Sequence, residues 1–218
     1  TVNIHYHKNP GEGTAVTDST EAGFVFYEDG DVIDYVVETN LLPHRGWTIP
    51  AGEPNYEVNN TYDITEDIFL LSMGPHMHYR GKAMRYELEY PDGEREVLLW
   101  VPDYDFNWQF LYEYETPKFI PAGSTIHMSW WFDNSTGNRW NPDPAADVVY
   151  GLATTDEMAN ARIYFAPTTP QGIVVGEEIP PAILERAISA DKRRRERTKL
   201  LDQNEDDLNW LTEDENSR

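Results

Sequence analysis

Two histidines separated by one residue, His76 and His78, carry the side chains best suited to bind a metal ion. They lie in the segment Gly-Pro-His-Met-His-Tyr-Arg-Gly, which covers residues 74–81 and follows an apolar run. Side chains alternate between faces along an extended chain, so both imidazoles are expected to point the same way and Met77 the opposite way. The spacing predicts half of a metal site. The competing interpretation is a pair of surface or cross-strand histidines.

Met158 is the candidate third ligand, and it lies in the distant segment Thr-Asp-Glu-Met-Ala-Asn, which covers residues 155–160. Two imidazoles and a thioether form a soft to borderline donor set, which selects copper, especially Cu(I), over magnesium, calcium or manganese. Three protein ligands would leave a fourth position for dioxygen or a substrate. Core packing is the competing interpretation for Met158, since methionine fills irregular gaps. The adjacent Asp156 and Glu157 are expected to be capping or exposed residues of a turn.

Strands separated by turns must hold these side chains in place. Short apolar or alternating runs, rich in β-branched and aromatic residues, recur along most of the chain with Gly, Pro and Asn turns between them. The pattern predicts an all-β fold, an antiparallel β-sandwich of jelly-roll type, in a domain that covers residues 1–170. The predicted strands are residues 2–7, 23–27, 32–38, 56–59, 67–72, 83–90, 96–101, 109–115, 124–132, 147–153 and 161–166.

The composition changes near residue 171. Residues 182–201 have a helical composition with clustered lysine and arginine, and residues 202–218 are acidic. A second region, residues 171–218, is therefore predicted to form a helical extension and an acidic tail. Part of the tail resembles a degenerate EF-hand, but the glycine is missing and the spacing is too long, so a solvated tail is preferred over calcium binding. The calcium candidates are Asp202, Asn204, Asp206 and Glu215.

Charge and composition argue against several classes of partner and chemistry. A net charge of −22 at pH 7 repels nucleic acid and anionic membranes, so neither is expected as a partner. No apolar run approaches the length of a membrane-spanning helix. The absence of cysteine rules out disulfides and thiolate ligands but does not fix the compartment. No serine or threonine is paired with a histidine and no Gly-rich phosphate loop occurs, so nucleophilic catalysis is not predicted.

Three stretches carry a resemblance to a known family. They are Ile4-His5-Tyr6, the His76-Met77-His78 strand followed by Gly81-Lys82, and Asp156-Glu157-Met158 followed by Asn160. Their order and spacing resemble the C-terminal domain of the copper type II, ascorbate-dependent monooxygenases, the family of peptidylglycine α-hydroxylating monooxygenase and dopamine β-monooxygenase. The similarity covers residues 1–166, and the segments 104–109, 133–135 and 141–144 look closest to the bacterial branch.

The resemblance implies the roles of the candidate ligands. In the family, the His-x-His pair and the methionine hold the copper that binds oxygen and hydroxylates the substrate, with a reductant such as ascorbate; His76, His78 and Met158 match them. Three histidines hold a second copper, which delivers the other electron. His5 matches one of them, and His7 is a neighbour that could substitute or assist. The remaining ligands would lie in a separate N-terminal copper domain or a larger complex, so this chain would carry half of the catalytic unit.

The resemblance also identifies candidate substrate-binding residues. In the peptide-amidating member, an Arg two residues before the first His, an Asn two after the Met and a Tyr four after it bind the substrate. The matching positions here are Gly74, Asn160 and Arg162, so a glycine-extended peptide is not predicted. Asn160 and Arg162 remain candidates for binding a small-molecule or peptide-like substrate, with Arg162 as a cation for an anionic group or as an exposed structural residue. A periplasmic or extracellular location is also implied.

Two functions remain open at this point. The first is a copper-dependent monooxygenase domain that hydroxylates a C–H bond with dioxygen and a reductant. The alternative is a non-catalytic β-sandwich that serves interaction or assembly, with a vestigial or structural copper site. Loss of copper after replacement of His76 or His78 would favour the first function, whereas unchanged partner binding and stability in His78→Ala would favour the second.

Overall fold

The computed structural model describes residues 17–178 and, in the segment that follows, residues 181–182, 184–185, 188–189 and 192. The described residues between 181 and 192 are helical, which agrees with the predicted helical extension. The acidic tail, the calcium candidates (Asp202, Asn204, Asp206 and Glu215) and the histidines His5 and His7 lie outside the described residues. The division into residues 1–170 and 171–218 stays a prediction.

Strands are the main regular secondary structure in the described part of the chain. In chain order these are β1 (Val32–Ile33), β2 (Glu38–His44), β3 (Thr48–Ile49), β4 (Tyr56–Asp63), β5 (Ile68–His76), β6 (Gly81–Glu89), β7 (Arg95–Val101), β8 (Tyr112–Ile120), β9 (Thr125–Phe132), β10 (Val148–Val149), β11 (Ala159–Pro167) and β12 (Ile173–Val174). In the described residues, no helix is long and apolar enough to cross a membrane.

Eight of the strands form two antiparallel four-stranded sheets. Sheet I has the order β2-β11-β5-β8 and sheet II the order β4-β9-β6-β7. When these eight strands are counted in chain order, the sheets read 1-8-3-6 and 2-7-4-5, which is the strand order of an eight-stranded jelly roll. The predicted all-β antiparallel sandwich of jelly-roll type is therefore confirmed. The short strands form two further pairs, β1 with β12 and β3 with β10.

The hydrophobic core lies between the two sheets, and the two-residue period of the strands builds it. Every second side chain of β6 and β9 points inward and has no exposed surface, namely Met84, Tyr86, Leu88, Ile126, Met128, Trp130 and Phe132. From sheet I, Ala159, Ala161 and Ile163 of β11 are equally buried. Burial of each large apolar side chain is worth about 1.5–3 kcal/mol. This core supplies a rigid scaffold for the ends of the central strands.

The structure differs from the predicted strands in several places. Of residues 32–38, only Val32–Ile33 and Glu38, the first residue of β2, are in strands, and of residues 147–153 only Val148–Val149. Residues 23–27 form no strand, and the side chains from Phe24 to Tyr27 are 67% to 101% exposed. High β-propensity does not make a strand without a neighbouring strand to pair with. Conversely, most of β2 was not predicted, because Asn40 and Pro43 interrupt its apolar pattern. Proline is tolerated there because β2 is an edge strand of sheet I.

The topology brings the two candidate metal-binding segments together. β5 ends at His76 and β11 begins at Ala159, directly after Met158. The two strands are antiparallel neighbours in sheet I, and His76 lies opposite Asn160 in their register. The end of one strand and the start of the other therefore meet at the same end of the sandwich.

Candidate metal centre

The histidine pair adopts the arrangement that its spacing predicts. The ring centroids of His76 and His78 are 5.2 Å apart, with the ring planes at 86°. Met77, between them, is completely buried in the core. The two imidazoles are therefore neighbours, while the intervening side chain anchors the segment in the sandwich.

His76 is oriented by Gln109, a residue that the sequence analysis did not assign to the site. Nδ1 of His76 lies 2.6 Å from Oε1 of Gln109. The amide orientation is set by Nε2 of Gln109, which donates to the carbonyl of Phe106 at 2.7 Å. Since Oε1 can only accept, Nδ1 of His76 carries the proton and the lone pair of the ring lies on Nε2. An acceptor on one imidazole nitrogen is the usual way in which a protein orients the other nitrogen toward a metal.

His78 is oriented in the same way by the methionine segment. Its Nδ1 lies 3.2 Å from the carbonyl oxygen of Asp156, which can only accept a hydrogen bond. The ring therefore also has its lone pair on Nε2. His78 is only 5% exposed. Because Asp156 lies two residues before Met158, this hydrogen bond holds the methionine segment against the histidine pair.

Met158 is buried beside its neighbours on β11. Nδ2 of Asn160 lies 3.1 Å from the Met158 sulfur and donates to it, and the hydroxyl of Tyr150 donates to Oδ1 of Asn160 at 3.2 Å. Asn160 is 4% exposed, so its amide orients the thioether. Arg162, two residues further along the same face of β11, is exposed and lies opposite Gly74. A substrate-binding role for Asn160 and Arg162 stays a prediction.

A single buried carboxylate joins the histidine loop to the methionine segment. Oε2 of Glu157 accepts from the backbone amides of His78 at 2.8 Å and Met158 at 3.2 Å, and Oε1 accepts from the amide of Arg80 at 2.5 Å. Burial raises the pKa of Glu157 to about 8, although the three amides and the Arg80 guanidinium act in the opposite direction. Glu157 was expected to be a capping or exposed residue. It caps three amides, but it has no exposed surface.

Arg80 extends this connection into a buried polar network. Its Nε donates to Oδ1 of Asn134 at 2.8 Å, and its Nη1 donates to the carbonyl of Thr155 at 2.7 Å. Burial lowers the pKa of the guanidinium, and the carboxylate of Glu157 opposes this shift. Asn134 also donates to two backbone carbonyls, those of Pro50 and Ala146, both at 2.9 Å. The network therefore ties the loops around the centre into one unit.

Tyr104 and Gly81 shape the backbone between the two histidines. The hydroxyl of Tyr104 accepts from the amide of Met77 at 3.1 Å and donates to the Met77 carbonyl at 2.8 Å. A Cβ atom at Gly81 would lie 2.6 Å from Cβ of Met77 and 2.8 Å from Cδ1 of Tyr104. Only glycine fits such an approach without displacing its neighbours.

The available donors favour a soft metal. Among the described residues, no group of three or more histidine, cysteine, aspartate or glutamate side chains could hold a metal ion. The candidate donors at this position are the two imidazoles and the thioether of Met158, whose segment contacts His78 through the Asp156 carbonyl. The residues present fit copper, because a donor set of two imidazoles and a thioether suits Cu(I).

Comparison with known proteins found distant similarity to one kind of monooxygenase. DBH-like monooxygenase protein 1 of Mus musculus is 27% identical to this chain over 180 residues, and its Homo sapiens counterpart is 25% identical over 180 residues. Each alignment covers 75% of this chain but 27% of the relative, so the chain spans about a quarter of the length of these relatives. No protein-family model matches the chain. The similarity supports the resemblance to the DBH-like monooxygenases at the family level.

Proposed function

We propose that this chain is a copper-binding domain of a DBH-like monooxygenase, with the metal held by His76, His78 and Met158. The distant similarity to DBH-like monooxygenase protein 1 supports the class of enzyme. The observation that carries the proposal is the attachment of the methionine segment to the histidine pair, through the 3.2 Å contact of His78 Nδ1 with the Asp156 carbonyl.

The chain's own residues would prepare the site for the metal. Gln109 and the Asp156 carbonyl hold the Nδ1 atoms, so each imidazole would offer Nε2 as a ligand. Asn160 holds the sulfur of Met158. When bound, copper would supply the redox chemistry by which dioxygen, with ascorbate as the candidate reductant, hydroxylates a substrate C–H bond. Because these side chains are already held in place, little free energy would be lost in ordering them when the metal binds.

The proposal also covers the type of domain, the second copper, the substrate and the location of the protein. We propose that the chain corresponds to the C-terminal, oxygen-binding domain of the bacterial branch, and that a separate N-terminal copper domain completes the unit. His5, assisted by His7, would contribute to the second copper. Arg162 is exposed and would bind an anionic group of a small-molecule or peptide-like substrate, with Asn160 nearby. A periplasmic or extracellular location is part of the same proposal.

The test is copper binding by histidine variants. The chain is loaded with Cu(I) without oxygen, and the bound metal is measured by mass spectrometry. We expect about one copper per chain in the wild type and loss of that copper in His78→Ala. His127→Ala is the matched control, because His127 lies on sheet II, and it should keep its copper. A wild type without bound copper, or equal losses in both variants, would contradict the proposal.

The methionine ligand needs a separate measurement. X-ray absorption of the Cu(I)-loaded wild type should show a sulfur neighbour, and Met158→Leu should remove it. Leucine preserves most of the buried volume, so the fold is expected to survive the change. A sulfur signal that persists in Met158→Leu would exclude this residue as a ligand.

A non-catalytic module is the second candidate, and the buried network favours it. Glu157 and Arg80 would hold the histidine loop in place without any metal. Under this candidate, His78→Ala leaves stability and partner binding unchanged. The copper-loaded wild type, supplied with an N-terminal copper domain, would then show no ascorbate-dependent oxygen uptake. Uptake that disappears in His78→Ala would exclude the non-catalytic role.

A further inference from the structure

The outer face of sheet II carries a second candidate site, on the opposite sheet from the histidine pair. It is an open pocket of about 420 Å³, within the range of small-molecule sites. Its lining includes Glu57, Asn59, Arg85, Glu87, His127 and Ser129. The copper proposal uses none of these residues.

The register of sheet II brings these side chains together. Ser129 lies opposite both Asn59 of β4 and Arg85 of β6, and His127 lies opposite Glu87. Residues directly opposite in an antiparallel pair point to the same face, so three strands contribute to one polar surface. The hydroxyl of Ser129 donates to Oδ1 of Asn59 at 2.6 Å, which orders the centre of this surface.

Two tryptophans lie beside the pocket, because Trp131 is opposite Glu57 and Trp100 is opposite Arg85 in the register of sheet II. The rings of Trp100 and Trp131 are 5.4 Å apart and meet edge to face at 87°. Nε1 of Trp131 donates to Oε2 of Glu57 at 3.2 Å, which connects the aromatic pair to the pocket lining. Trp100 is 47% exposed. An exposed aromatic ring therefore lies beside a set of hydrogen-bonding groups.

Arg85 is the polar group of the pocket that most clearly lacks a protein partner. Its guanidinium lies 5.8 Å from the centre of the Trp131 ring, and in the described part of the chain it makes no hydrogen bond or ion pair. Arg95, in contrast, pairs with Glu87 at 3.1 Å and also with Glu89. In a protein with a net charge of −22, a half-buried arginine without an acidic partner offers its donors to a ligand.

The charges of the lining indicate the class of ligand. Glu57 and Glu87 balance Arg85 and Arg95, so the pocket favours neither an anion nor a cation. The lining does not resemble a protein–protein interface, because the core of such an interface is depleted in charged residues. The pocket presents amide, hydroxyl, carboxylate and guanidinium groups beside a tryptophan. This combination suits a ligand ring that has an apolar C–H face and hydroxyl groups around its rim. Neutral sugars have this combination.

We propose that the outer face of sheet II binds a neutral oligosaccharide. The exposed ring of Trp100 packs against the C–H face of a sugar ring, with Trp131 holding it in place. Arg85 donates to sugar hydroxyls, and Glu57 and Asn59 bind neighbouring hydroxyls. The site is independent of the copper centre, and it would hold the domain on a glycan surface.

The test is native electrophoresis of the full chain in gels that contain hydroxyethyl cellulose, arabinoxylan, galactomannan or pullulan. At least one of these polysaccharides should retard the protein. Titration calorimetry with a hexasaccharide of the retarding polymer then measures the affinity. Trp100→Ala should weaken binding by about tenfold or more, as expected for an aromatic residue that contacts the ligand. Arg85→Met should weaken it as well, and thermal melts should show both variants folded.

Two control variants keep the test specific. Trp140→Ala is matched to Trp100→Ala, because Trp140 is 58% exposed and lies beside the Arg139 guanidinium, 4.6 Å away, outside the pocket. It should bind as tightly as the wild type, and so should His76→Ala, which removes the metal candidate alone. Lack of retardation by all four polysaccharides, or an equal loss in Trp140→Ala, would overturn the proposal. A dimer that Trp100→Ala converts to a monomer, without retardation, would instead identify an interface between copies.

Discussion

The two sheets present polar groups in opposite ways. At the end of sheet I, the histidine pair rests on buried groups, and Glu157 alone accepts from three backbone amides. On the outer face of sheet II, polar groups pair with one another at the surface, as Arg95 does with Glu89, and Arg85 has no ion pair among the described residues. Buried polar groups hold a site in one geometry, because leaving any of them unpaired is costly. Surface groups can exchange partners when a ligand arrives.

The largest effect should come from removing the buried arginine of sheet I. Arg80→Met leaves the oxygens of Asn134 and Thr155 without their donor and the buried Glu157 carboxylate without a cation. The free energy of unfolding should fall by about 2–6 kcal/mol, because each of the two buried acceptors left without its donor costs about 1–3 kcal/mol. Arg85→Met is the matched change on sheet II and should leave stability within error, because no ion pair is lost. Urea denaturation followed by tryptophan fluorescence measures both, and equal losses would refute the contrast between the faces.

A smaller loss of stability should follow from adding one methyl group beneath the histidine pair. In Gly81→Ala the new Cβ would lie 2.6 Å from Cβ of Met77, so the loop has to shift. Overpacking of this kind costs about 1–3 kcal/mol. Gly23→Ala is the control, since nothing lies within 4 Å of a Cβ at that position. A Gly81→Ala variant that melts with the wild type would show that the loop is less constrained than its contacts imply.

The smallest effect on stability should come from Gln109→Ala, which removes only the group that orients one imidazole. Gln109→Ala removes the acceptor of His76 Nδ1 from an exposed position. Stability should not change, whereas Cu(I) affinity should fall by about tenfold to hundredfold, as for other residues that orient metal ligands. Competition with a Cu(I) chelator measures the affinity. Gln109→Glu keeps an acceptor and should restore most of it, and Trp100→Ala on sheet II should have no effect. Unchanged affinity in Gln109→Ala would remove Gln109 from the site.

Some of the centre could be predicted because its signals are local. His76 and His78 are two residues apart, and this spacing alone places two rings on one face of a strand. Met158 became a candidate ligand through its side-chain type and the resemblance of its segment to a known family. Gln109 was not found as the partner of His76, because the two residues are 33 positions apart in the sequence. Arg80 lies in the histidine segment itself, but its contacts with Asn134 and Thr155 join positions 54 and 75 residues apart, which the sequence does not reveal. The segment before Gln109 is rich in aromatic residues, and this composition predicts that the segment packs against the protein. It does not predict that the side-chain amide of Gln109 contacts His76.

The fold, like the site, could be predicted where the signal lies within a short segment and not where it depends on distant residues. The alternation of apolar residues along β6 and β9 was sufficient to predict strands and a sandwich. Residues 23–27 have the composition of a strand but pair with no strand in the described part of the chain. Strand β2 has a poor pattern, yet it pairs along its length with β11. Pairing is a property of the whole sheet, and short-range composition does not contain it.

By itself, the amino-acid order determined the fold class and the acidic character and offered candidate metal donors, because periodicity, charge and ligand chemistry are properties of short segments. Only the tertiary structure decided that Glu157 is buried beneath the centre, that Gln109 orients His76, and that Arg85 and two tryptophans share one face of sheet II. These arrangements depend on which strands become neighbours and in which register. The jelly-roll topology sets both, because burial of the common core, rather than any local preference, selects the pairing of distant strands.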